Sequence, residues 1–337
     1  MASSRPTIKD VSSLANVSIK TVSRVVNNDE HIGIETKKTV LEAIKQLNYK
    51  PNLTAKNLKV NKTNIIGFII PDFTNQFFGF IFNGIEKLVK TFGYNIIVLN
   101  SDGIKENENK CIDILIQNNV DGIIFASTGM SGEYVQQQMS FFKIPLVLID
   151  NKLKGIKMNC VLHDNIKGAE ILTEHLIEND PFRKIAFVTG PISETSSKKR
   201  LEGYKNSLKK NNIEINENLI KIGEWNNRSG YELGKQLFLQ ADKPSSIFIA
   251  STSMALGVLK ALHELKMKCP DEIKLVSFDD LEFADCTEPP LTTLSRVEET
   301  IGEVAGRMLL KKIEDKDFES FDEVYIPAEI IIRNSSR

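Results

Sequence analysis

Apolar and polar residues follow two different periods along this chain. In its first part the apolar positions recur every three or four residues, as on one face of a helix, and the segment ANVSIKTVSRVVNN (residues 15–28) shows this clearly. Its apolar stripe consists of Val22, Val25 and Val26. Its polar stripe consists of Lys20, Ser23, Arg24 and Asn27. Such side chains contact phosphates and base edges, but the same stripe also fits the solvated face of an ordinary core helix.

The flanking residues predict a second short helix before this one. Thr7, with Asp10 three residues later, forms a helix start, and Ser18 is a good N-cap for the next helix. Two short helices that cross closely at the small Ala15 describe a helix-turn-helix, whose second helix lies in the major groove of DNA. A third helix is predicted at about 35–47.

From Asn64 onward short apolar runs alternate with segments of helix length. The runs are IIGFII, NIIVLN, DGIIFAS, PLVLID, MNCVLHD, KIAFVTG, SIFIAS and IKLVSFD. This pattern predicts parallel strands joined by crossover helices, arranged as two successive α/β lobes. Because open α/β sheets bind ligands at the carboxyl ends of their strands, polar and aromatic residues that follow the strands are expected to line a cleft.

Length and composition describe an ordinary multidomain protein. At 337 residues the chain exceeds the size at which one core stops growing. It has no apolar run of transmembrane length, and MASSRPTIKD lacks the apolar region of a signal peptide, so we expect a cytoplasmic protein that does not enter a membrane. The four cysteines form no C-x-x-C pair, so neither a metal site nor a disulfide is expected, and we expect all four to be buried.

The net charge of -1 conceals an uneven distribution. Residues 1–60 contain ten Lys and Arg against five Asp and Glu, whereas the remainder contains 33 against 39. A small basic segment on a larger, mildly acidic body is typical of a polyanion-binding headpiece, although chance clustering is the alternative.

Enzyme motifs are missing from the sequence. It contains no G-x-G-x-x-G, no G-x-x-x-x-G-K-[ST] and no G-x-S-x-G. His163 beside Asp164 resembles a base with its orienting carboxylate, but we expect this pair to be scaffolding near a strand end. We therefore expect neither an enzyme nor a cofactor.

Several blocks of the chain resemble the lactose-repressor (LacI/GalR) family of bacterial transcription regulators. The blocks are TIKDVSSLANVSIKTVSRVVNN, ETKKTVLEAIKQLNYKPN, AKNLKVNKTNIIGFIIPDFTNQFF, GPISETSSKKRLEGY, MALGVLKAL and VSFDDLEFADCTEPPLTTLSRV. They cover nearly the whole chain in family order. A periplasmic sugar-binding protein would share the α/β body, but it requires a signal peptide and lacks the helix-turn-helix.

The resemblance implies an all-α helix-turn-helix headpiece followed by a two-lobed α/β core like that of periplasmic binding proteins, with parallel sheets flanked by helices. The expected boundaries are 1–50 for the headpiece, 51–61 for the hinge helix and linker, and 62–337 for the core. Within the core, the N-lobe is expected at about 62–159 and 292–322, and the C-lobe at about 160–291 and 323–337. The chain would cross between lobes near 159, 291 and 322.

The implied function is sequence-specific repression of a carbohydrate-utilisation operon, controlled by a sugar-like effector bound between the lobes. A homodimer would bind a pseudo-palindromic operator in the nucleoid, and the absence of a heptad-bearing tail favours a dimer over a tetramer. The residues are compatible with an inducer and with a corepressor alike.

The resemblance also assigns DNA-contacting residues. It implies that Ile19 and Lys20 read bases, with Arg24 deeper in the groove. Phosphate contacts fall to Thr7, Ser18, Thr21, Ser23, Asn27 and His31, although His31 also fits a plain surface histidine. In the hinge, Leu58 matches a leucine that wedges between base pairs of the minor groove. The other hinge contacts fall to Asn52, Thr54, Ala55 and Lys56, where Lys56 replaces the usual arginine.

The implied effector-binding residues are Asp72, Asn75, Phe77, Phe78, Asp150, Arg200, Trp225, Ser251, Asp279 and Arg296. One of the two phenylalanines is expected to be core. Ser251 and Thr252 replace an Asn-Asp pair common in sugar-binding members, and Arg296 replaces a common Gln, which makes the pocket more positive by about two charges. This change fits an anionic effector, such as a sugar phosphate or a sugar acid, because guanidinium binds such groups bidentately. The alternative is a structural ion pair of Arg296 with Asp279 or Asp150.

Overall fold

A computed structural model of the protein describes residues 6–27, 29, 31–50, 62–128, 132–280, 284–295, 297–315 and 321–337. Its internal contacts divide the chain into two compact units, Met1–Thr63 and Asn64–Arg337. We call the first unit the headpiece and the second unit the body.

Three helices with clear caps form the described part of the headpiece: α1 Ile8–Leu14, α2 Ile19–Val26 and α3 Ile34–Gln46. Both predicted caps are confirmed. The carboxylate of Asp10 accepts hydrogen bonds from the backbone N–H and the hydroxyl of Thr7, each at 2.7 Å. Ser18 Oγ accepts from the backbone N–H of Thr21 at 3.1 Å, so a first-turn donor of α2 is satisfied.

The turn between α1 and α2 depends on two small or adaptable residues. Ala15 is buried at the end of α1, where a larger side chain would separate the helices. Asn16 follows with φ at 51°, in the left-handed region that Asn tolerates better than most residues. The headpiece core then closes around Val11, Ala15, Val22, Val25, Val40 and Ala43.

The body contains two six-stranded sheets flanked by helices. The strands are β1 Ile65–Ile70, β2 Asn95–Asn100, β3 Gly122–Ala126, β4 Leu146–Ile149, β5 Asn159–His163, β6 Ile185–Thr189, β7 Ile220–Ile222, β8 Ser246–Ile249, β9 Lys274–Ser277, β10 Thr292–Leu294, β11 Glu323–Ile326 and β12 Ile330–Ile331. The helices are α4 Gln76–Thr91, α5 Lys105–Gln117, α6 Glu133–Phe142, α7 Asn165–Asn179, α8 Thr195–Lys210, α9 Asn227–Leu239, α10 Thr252–Glu264 and α11 Glu298–Asp315.

The first sheet has the order β11-β5-β4-β3-β1-β2 and the second β12-β10-β9-β8-β6-β7. Neighbouring strands are parallel except β10 and β12, which are antiparallel. All eight apolar runs seen in the sequence form strands. The sequence pattern missed four strands. β7, β11 and β12 are short and half-exposed at sheet edges, and β10 is a buried segment of three residues, TTL, so none of them has a continuous apolar run.

The lobe crossings lie a few residues later than expected. We expected residues 160–163 in the C-lobe, 292–294 in the N-lobe and 323–326 in the C-lobe. Instead β5 pairs with β4 in the first sheet, β10 pairs with β9 in the second, and β11 pairs with β5 in the first. Each crossing therefore follows a strand rather than preceding it, because an apolar run shows where a strand lies and not which neighbour it pairs with.

Two glycines allow α4 and α11 to pack backbone against backbone. A Cβ on Gly84 would lie 2.1 Å from the carbonyl oxygen of Glu299, and a Cβ on Gly302 would lie 2.1 Å from that of Ile81. The helices consequently approach more closely than side chains would permit, with Ile81, Ile85 and Ile301 sealed in the core beside them. This contact fixes the start of α11, directly after the second lobe crossing.

The cysteine expectation is partly wrong. Cys111 and Cys160 are buried, but Cys269 is only half-buried and Cys286 is exposed. Among the described helices, none is both long enough and apolar enough to cross a membrane.

The helix contact at Gly84 predicts opposite effects of two alanine substitutions in α4. Gly84→Ala forces the backbones of α4 and α11 apart and should lower the free energy of unfolding by about 1–3 kcal/mol. Gly79→Ala is the matched control, because its Cβ would meet nothing within 4 Å. That change should stabilise the helix by up to about 1 kcal/mol. Urea unfolding followed by circular dichroism measures both, and equal effects would contradict the close backbone contact.

Candidate DNA-binding surface and interlobe cavity

The polar face of α2 is open to solvent in the headpiece. The exposed residues among the expected DNA contacts are Thr7, Ser18, Ile19, Lys20, Asn27 and His31, and the half-buried ones are Thr21, Ser23 and Arg24. Ile19, the first residue of α2, is 44% exposed although it is a large apolar side chain. An apolar side chain at this end of the helix can contact a thymine methyl group.

Arg24 is held by an acidic residue that the sequence reasoning did not single out. Its Nε donates to the carboxylate of Asp29 at 2.8 Å, and the same carboxylate accepts from the backbone N–H of His31 at 3.0 Å. These hydrogen bonds lower the pKa of Asp29 to about 2, and the one from Arg24 has the larger effect. Asp29 thus orients the Arg24 guanidinium and the chain after α2 together. The spacing of five residues across a helix end gives no periodic signal in the sequence.

Some of the expected functional residues lie outside the described part of the chain. In the hinge these are Asn52, Thr54, Ala55, Lys56 and Leu58. Arg296 also lies outside it. Their assigned roles therefore stay predictions.

A cavity of about 680 Å³ lies between the two lobes of the body. Its walls come from the chain just after β1, β2, β3 and β4 of the first sheet and after β6, β7, β8 and β9 of the second. These are carboxyl ends of parallel strands, where α/β sheets bind ligands. Nine expected effector residues line the cavity: Asp72, Asn75, Phe77, Phe78, Asp150, Arg200, Trp225, Ser251 and Asp279.

Aromatic rings cover two sides of the cavity. Phe78 is buried in the core of the first lobe, whereas Phe77 is half-buried and contacts it edge to face at 5.0 Å. Phe77 also stacks on His163, whose other side meets Phe278 of the second lobe. One phenylalanine is therefore core, as expected, and the rings connect the lobes at the first crossing.

Arg200 forms the floor of the cavity and is almost completely buried. Its Nε donates to Asn165 Oδ1 at 2.8 Å, and its Nη1 donates to the carbonyl oxygen of Ala250. Nη1 also lies 3.6 Å from Asp279 Oδ2, and the guanidinium stacks on Phe278, 3.6 Å from the ring centroid. A buried charge needs such partners, and Nη2 takes part in none of these described contacts.

Two buried polar atoms beside Arg200 have no hydrogen-bond partner in the described part of the chain: Asp279 Oδ1 and His163 Nε2. Burial raises the pKa of Asp279, and the Arg200 charge opposes this shift. Burial, together with repulsion from Arg200, lowers the pKa of His163 to about 3, so its ring is neutral at physiological pH.

His163, Asp279 and Glu298 offer ligand atoms within 4.8 Å of one another. The neighbouring guanidinium would repel a metal ion there, so we assign no metal to these residues. Asp164 accepts from the backbone N–H of Lys167 at 3.1 Å and caps α7, which is a scaffolding role.

Two carboxylates from opposite lobes face the cavity near Trp225. Asp150 follows β4 with φ at 65°, and its Oδ2 accepts from Asn151 Nδ2 at 2.9 Å. Glu194 stands at the N-cap position of α8, but it accepts from Trp225 Nε1 at 2.7 Å rather than from its own helix. Burial, and to a smaller degree the neighbouring carboxylates, raise the pKa of Asp150 to about 6 and that of Glu194 to about 7, while Arg200 opposes both shifts.

The expected positive shift of the cavity depends in part on Arg296, which lies outside the described residues, and so stays a prediction. Its described lining includes two cationic side chains, Lys154 and Arg200, against six carboxylates. The carboxylates are Asp72, Asp102, Asp150, Glu194, Glu224 and Asp279. Arg200 is already engaged by Asp279, so the described wall does not favour an anionic ligand.

Sequence reasoning missed several residues that shape this wall. Asn151 joins the lobes, because its Oδ1 accepts from the backbone N–H of Ser196 at the start of α8 at 3.1 Å. Glu108 is buried on α5 and accepts from the backbone N–H and hydroxyl of Thr128, at 2.9 and 3.1 Å. Glu108 shares the helix face of Cys111 and Leu115, so an acid within an apolar stripe was the available signal.

Glu194 predicts a pH titration of the only tryptophan in the chain. The pKa of Glu194 in the folded protein is about 7, above its ordinary value of 4.5, so the folded protein keeps this carboxyl group protonated up to about pH 7. The stability that the protonated group contributes to the folded protein is therefore lost as the pH rises from 4.5 to about 7. Trp225 emission should therefore titrate near pH 7, because the carboxylate bonded to its indole N–H gains a charge. A fluorescence titration of unliganded Glu194→Gln should show no such transition, and an unchanged transition would exclude Glu194 as its source.

Comparisons with known proteins agree with both units. Residues 7–52 match the model for bacterial regulatory proteins of the lacI family, and residues 173–336 match the periplasmic binding protein-like domain. The chain is similar to the ribose operon repressor of Escherichia coli (strain K12), with 31% identity over 91% of this chain and 93% of that protein. It is also 31% identical to the HTH-type transcriptional repressor PurR of Vibrio vulnificus (strain CMCP6), over 92% of this chain and 93% of that one.

Solved structures show the same architecture. The dimer of the Lac repressor bound to operator and the anti-inducer ONPF superposes with a TM-score of 0.87, at 24% identity and 99% coverage of both chains, which shows the fold. The complex of the transcriptional regulator CelR with cellobiose matches with a TM-score of 0.74 at 26% identity, over 98% of this chain and all of that one. Both of these similar proteins are repressors rather than enzymes, and this chain belongs to the LacI family of bacterial DNA-binding transcriptional repressors.

Proposed function

We propose that the protein is a homodimeric repressor of a carbohydrate-utilisation operon, released from or recruited to its operator by a sugar-like effector bound between the lobes of the body. It acts on chromosomal DNA in the cytoplasm. The observation that carries this proposal is a cavity whose described walls come from the strand ends of both lobes. A ligand there contacts both lobes at once, so its binding free energy depends on their relative angle.

On the DNA side, α2 reads the operator and the hinge strengthens the contact. Ile19 and Lys20 face base edges in the major groove, and Arg24 reaches deeper, oriented by Asp29. The hydroxyl and amide side chains around them hold phosphates. Leu58 wedges into the minor groove, and the two headpieces of the dimer bind the two halves of a pseudo-palindrome.

The carbohydrate assignment rests on the cavity and on two relatives. An indole ring, a half-buried phenylalanine and several carboxylates match the apolar C–H face and the hydroxyl groups of a sugar. One similar protein is named for a ribose operon, and one similar structure contains cellobiose.

Lys20 and Thr21 should affect DNA binding in different ways. Operators are first selected from random duplexes with the full chain. Lys20→Ala should then lose about 1–3 kcal/mol of discrimination at one base position of each half-site, because a base contact is removed. Thr21→Ala should weaken all sequences alike. Competition binding at fixed salt measures both effects.

Lys45→Ala is the matched control, since it removes one positive charge from an exposed position on α3. It should lower affinity little and leave base preference unchanged. If Lys45→Ala and Lys20→Ala shift the base preference equally, α2 is not the reading helix.

Effector and operator binding should be coupled reciprocally. An effector found by thermal shift of the full chain should change the dissociation constant for the selected operator, and the operator should change the effector's constant by the same factor. The direction distinguishes an inducer from a corepressor. Ligand binding without any change in operator affinity would contradict control through the cavity.

A further inference from the structure

One side chain in the cavity wall forms hydrogen bonds to both lobes. Asn151 follows β4 of the first lobe, and its Nδ2 donates to Asp150 Oδ2 at 2.9 Å. Its Oδ1 accepts from the backbone N–H of Ser196, at the start of α8 in the second lobe, at 3.1 Å. Only this orientation of the amide offers a donor to the carboxylate and an acceptor to the N–H, so the two bonds occur together. Asn151 is only 2% exposed, and it lines the cavity beside both partners.

The N–H of Ser196 depends on this contact. α8 begins at Thr195, so Ser196 is its second residue, and the first N–H groups of a helix have no acceptor within the helix. Glu194 stands at the N-cap position but forms no cap hydrogen bond, and its carboxylate accepts from Trp225 Nε1 instead. Among the described groups, the acceptor of the Ser196 N–H is Asn151 Oδ1. A side chain of the first lobe therefore caps a helix of the second lobe.

The backbone that carries Asn151 is strained. The N–H of Asn151 donates to the carbonyl oxygen of Ile149 at 2.7 Å, and Asp150 between them has φ at 65°. A hydrogen bond between residues two apart, with a positive φ at the middle residue, forms a γ-turn of the rare and strained kind. Such a conformation persists only where surrounding contacts hold it, and the two bonds of the Asn151 amide are contacts of that kind. The turn, the amide and the start of α8 therefore form one connected unit.

We infer that Asn151 is a positioning residue that transmits the state of the Asp150 carboxylate to α8 in the other lobe. This inference rests on the proposed control of operator binding through the cavity. A ligand that donates to Asp150 uses the same carboxylate as Asn151 Nδ2, and so weakens the bond between the two side chains. The amide is then no longer fixed in orientation, its bond to Ser196 weakens, and the lobes become free to change their angle.

A purely structural Asn151 would behave differently. Its removal would lower stability, and the effect would add to that of a change at Asp150. In the inferred arrangement the two residues act in series. A change at Asp150 therefore has no further effect on α8 once the Asn151 amide is gone.

Hydrogen exchange at the Ser196 amide of the full chain measures this connection. Residue-resolved exchange should show the N–H protected in the unmodified protein. Asn151→Ala should speed its exchange by about three- to tenfold, which corresponds to one hydrogen bond. Asp150→Gly should speed it by a smaller factor, because glycine keeps the positive φ but removes the carboxylate. The double variant should exchange no faster than Asn151→Ala alone.

Asn118→Ala is the matched control. It removes an exposed amide of the first lobe that donates to the carbonyl oxygen of Ile114 within α5, at 2.7 Å, and it should leave Ser196 exchange unchanged. If Asn151→Ala does not fold, Asn151→Asp keeps an acceptor for the Ser196 N–H but cannot donate to Asp150 as a carboxylate. Protection should then persist and no longer respond to Asp150→Gly. Equal exchange in the unmodified chain and in Asn151→Ala, or an additive effect in the double variant, overturns the inference.

Operator binding gives a second readout. Asn151→Ala should change the dissociation constant for the operator selected by the unmodified chain by at least about threefold, because the angle between the lobes is no longer fixed. The base preference should stay unchanged, since the headpiece is not altered. A dissociation constant equal to that of Asn118→Ala overturns the inference while leaving an effector-controlled repressor intact. Failure of the unmodified chain to select any operator counts against the proposed function instead.

Discussion

The cavity depends on how the protein keeps one guanidinium charge buried. Arg200 is almost inaccessible to solvent, so the protein itself must supply acceptors for its hydrogen bonds and compensate its charge. Four groups do this together: Asn165 at the start of α7, the carbonyl of Ala250 after β8, Asp279 after β9 and the ring of Phe278. Satisfying one cation therefore brings the ends of several elements of the second lobe to one point, which becomes the floor of the site.

The same constraint extends to the first lobe. Burial, and after it the Arg200 charge, keep His163 neutral, and the neutral ring contacts Phe77 of one lobe and Phe278 of the other. Asn151 adds a hydrogen bond across the cleft to the start of α8. The crossing between lobes is thus built from aromatic contact and a neutral hydrogen bond, and both lie beside the cavity. A ligand in the cavity therefore lies against the residues that join the lobes.

The headpiece is stabilised by local interactions. Thr7 and Ser18 cap two short helices, and six small or branched apolar side chains close a core that is just large enough to hold them. The residues of α2 that are predicted to contact DNA lie exposed or half-buried on its surface, and Arg24 among them is held by Asp29. The two units therefore differ in how far their functional residues depend on distant parts of the chain.

The sequence by itself determined what depends on local periodicity and strand-end position. The two caps, the helix-turn-helix and eight strands could be predicted because helix spacing, capping residues and apolar runs are local features of the sequence. Nine residues of the cavity wall could be predicted because they match positions of the family that the sequence resembles. Tertiary structure alone decided the rest. Strand pairing moved each lobe crossing by several residues, and the hydrogen bond from Trp225 made Glu194, which the sequence had not singled out, part of the cavity wall. The buried contacts of Arg200 with Asn165, Ala250 and Asp279 likewise join residues far apart in the chain, and no residue spacing records them because they depend on how distant elements pack.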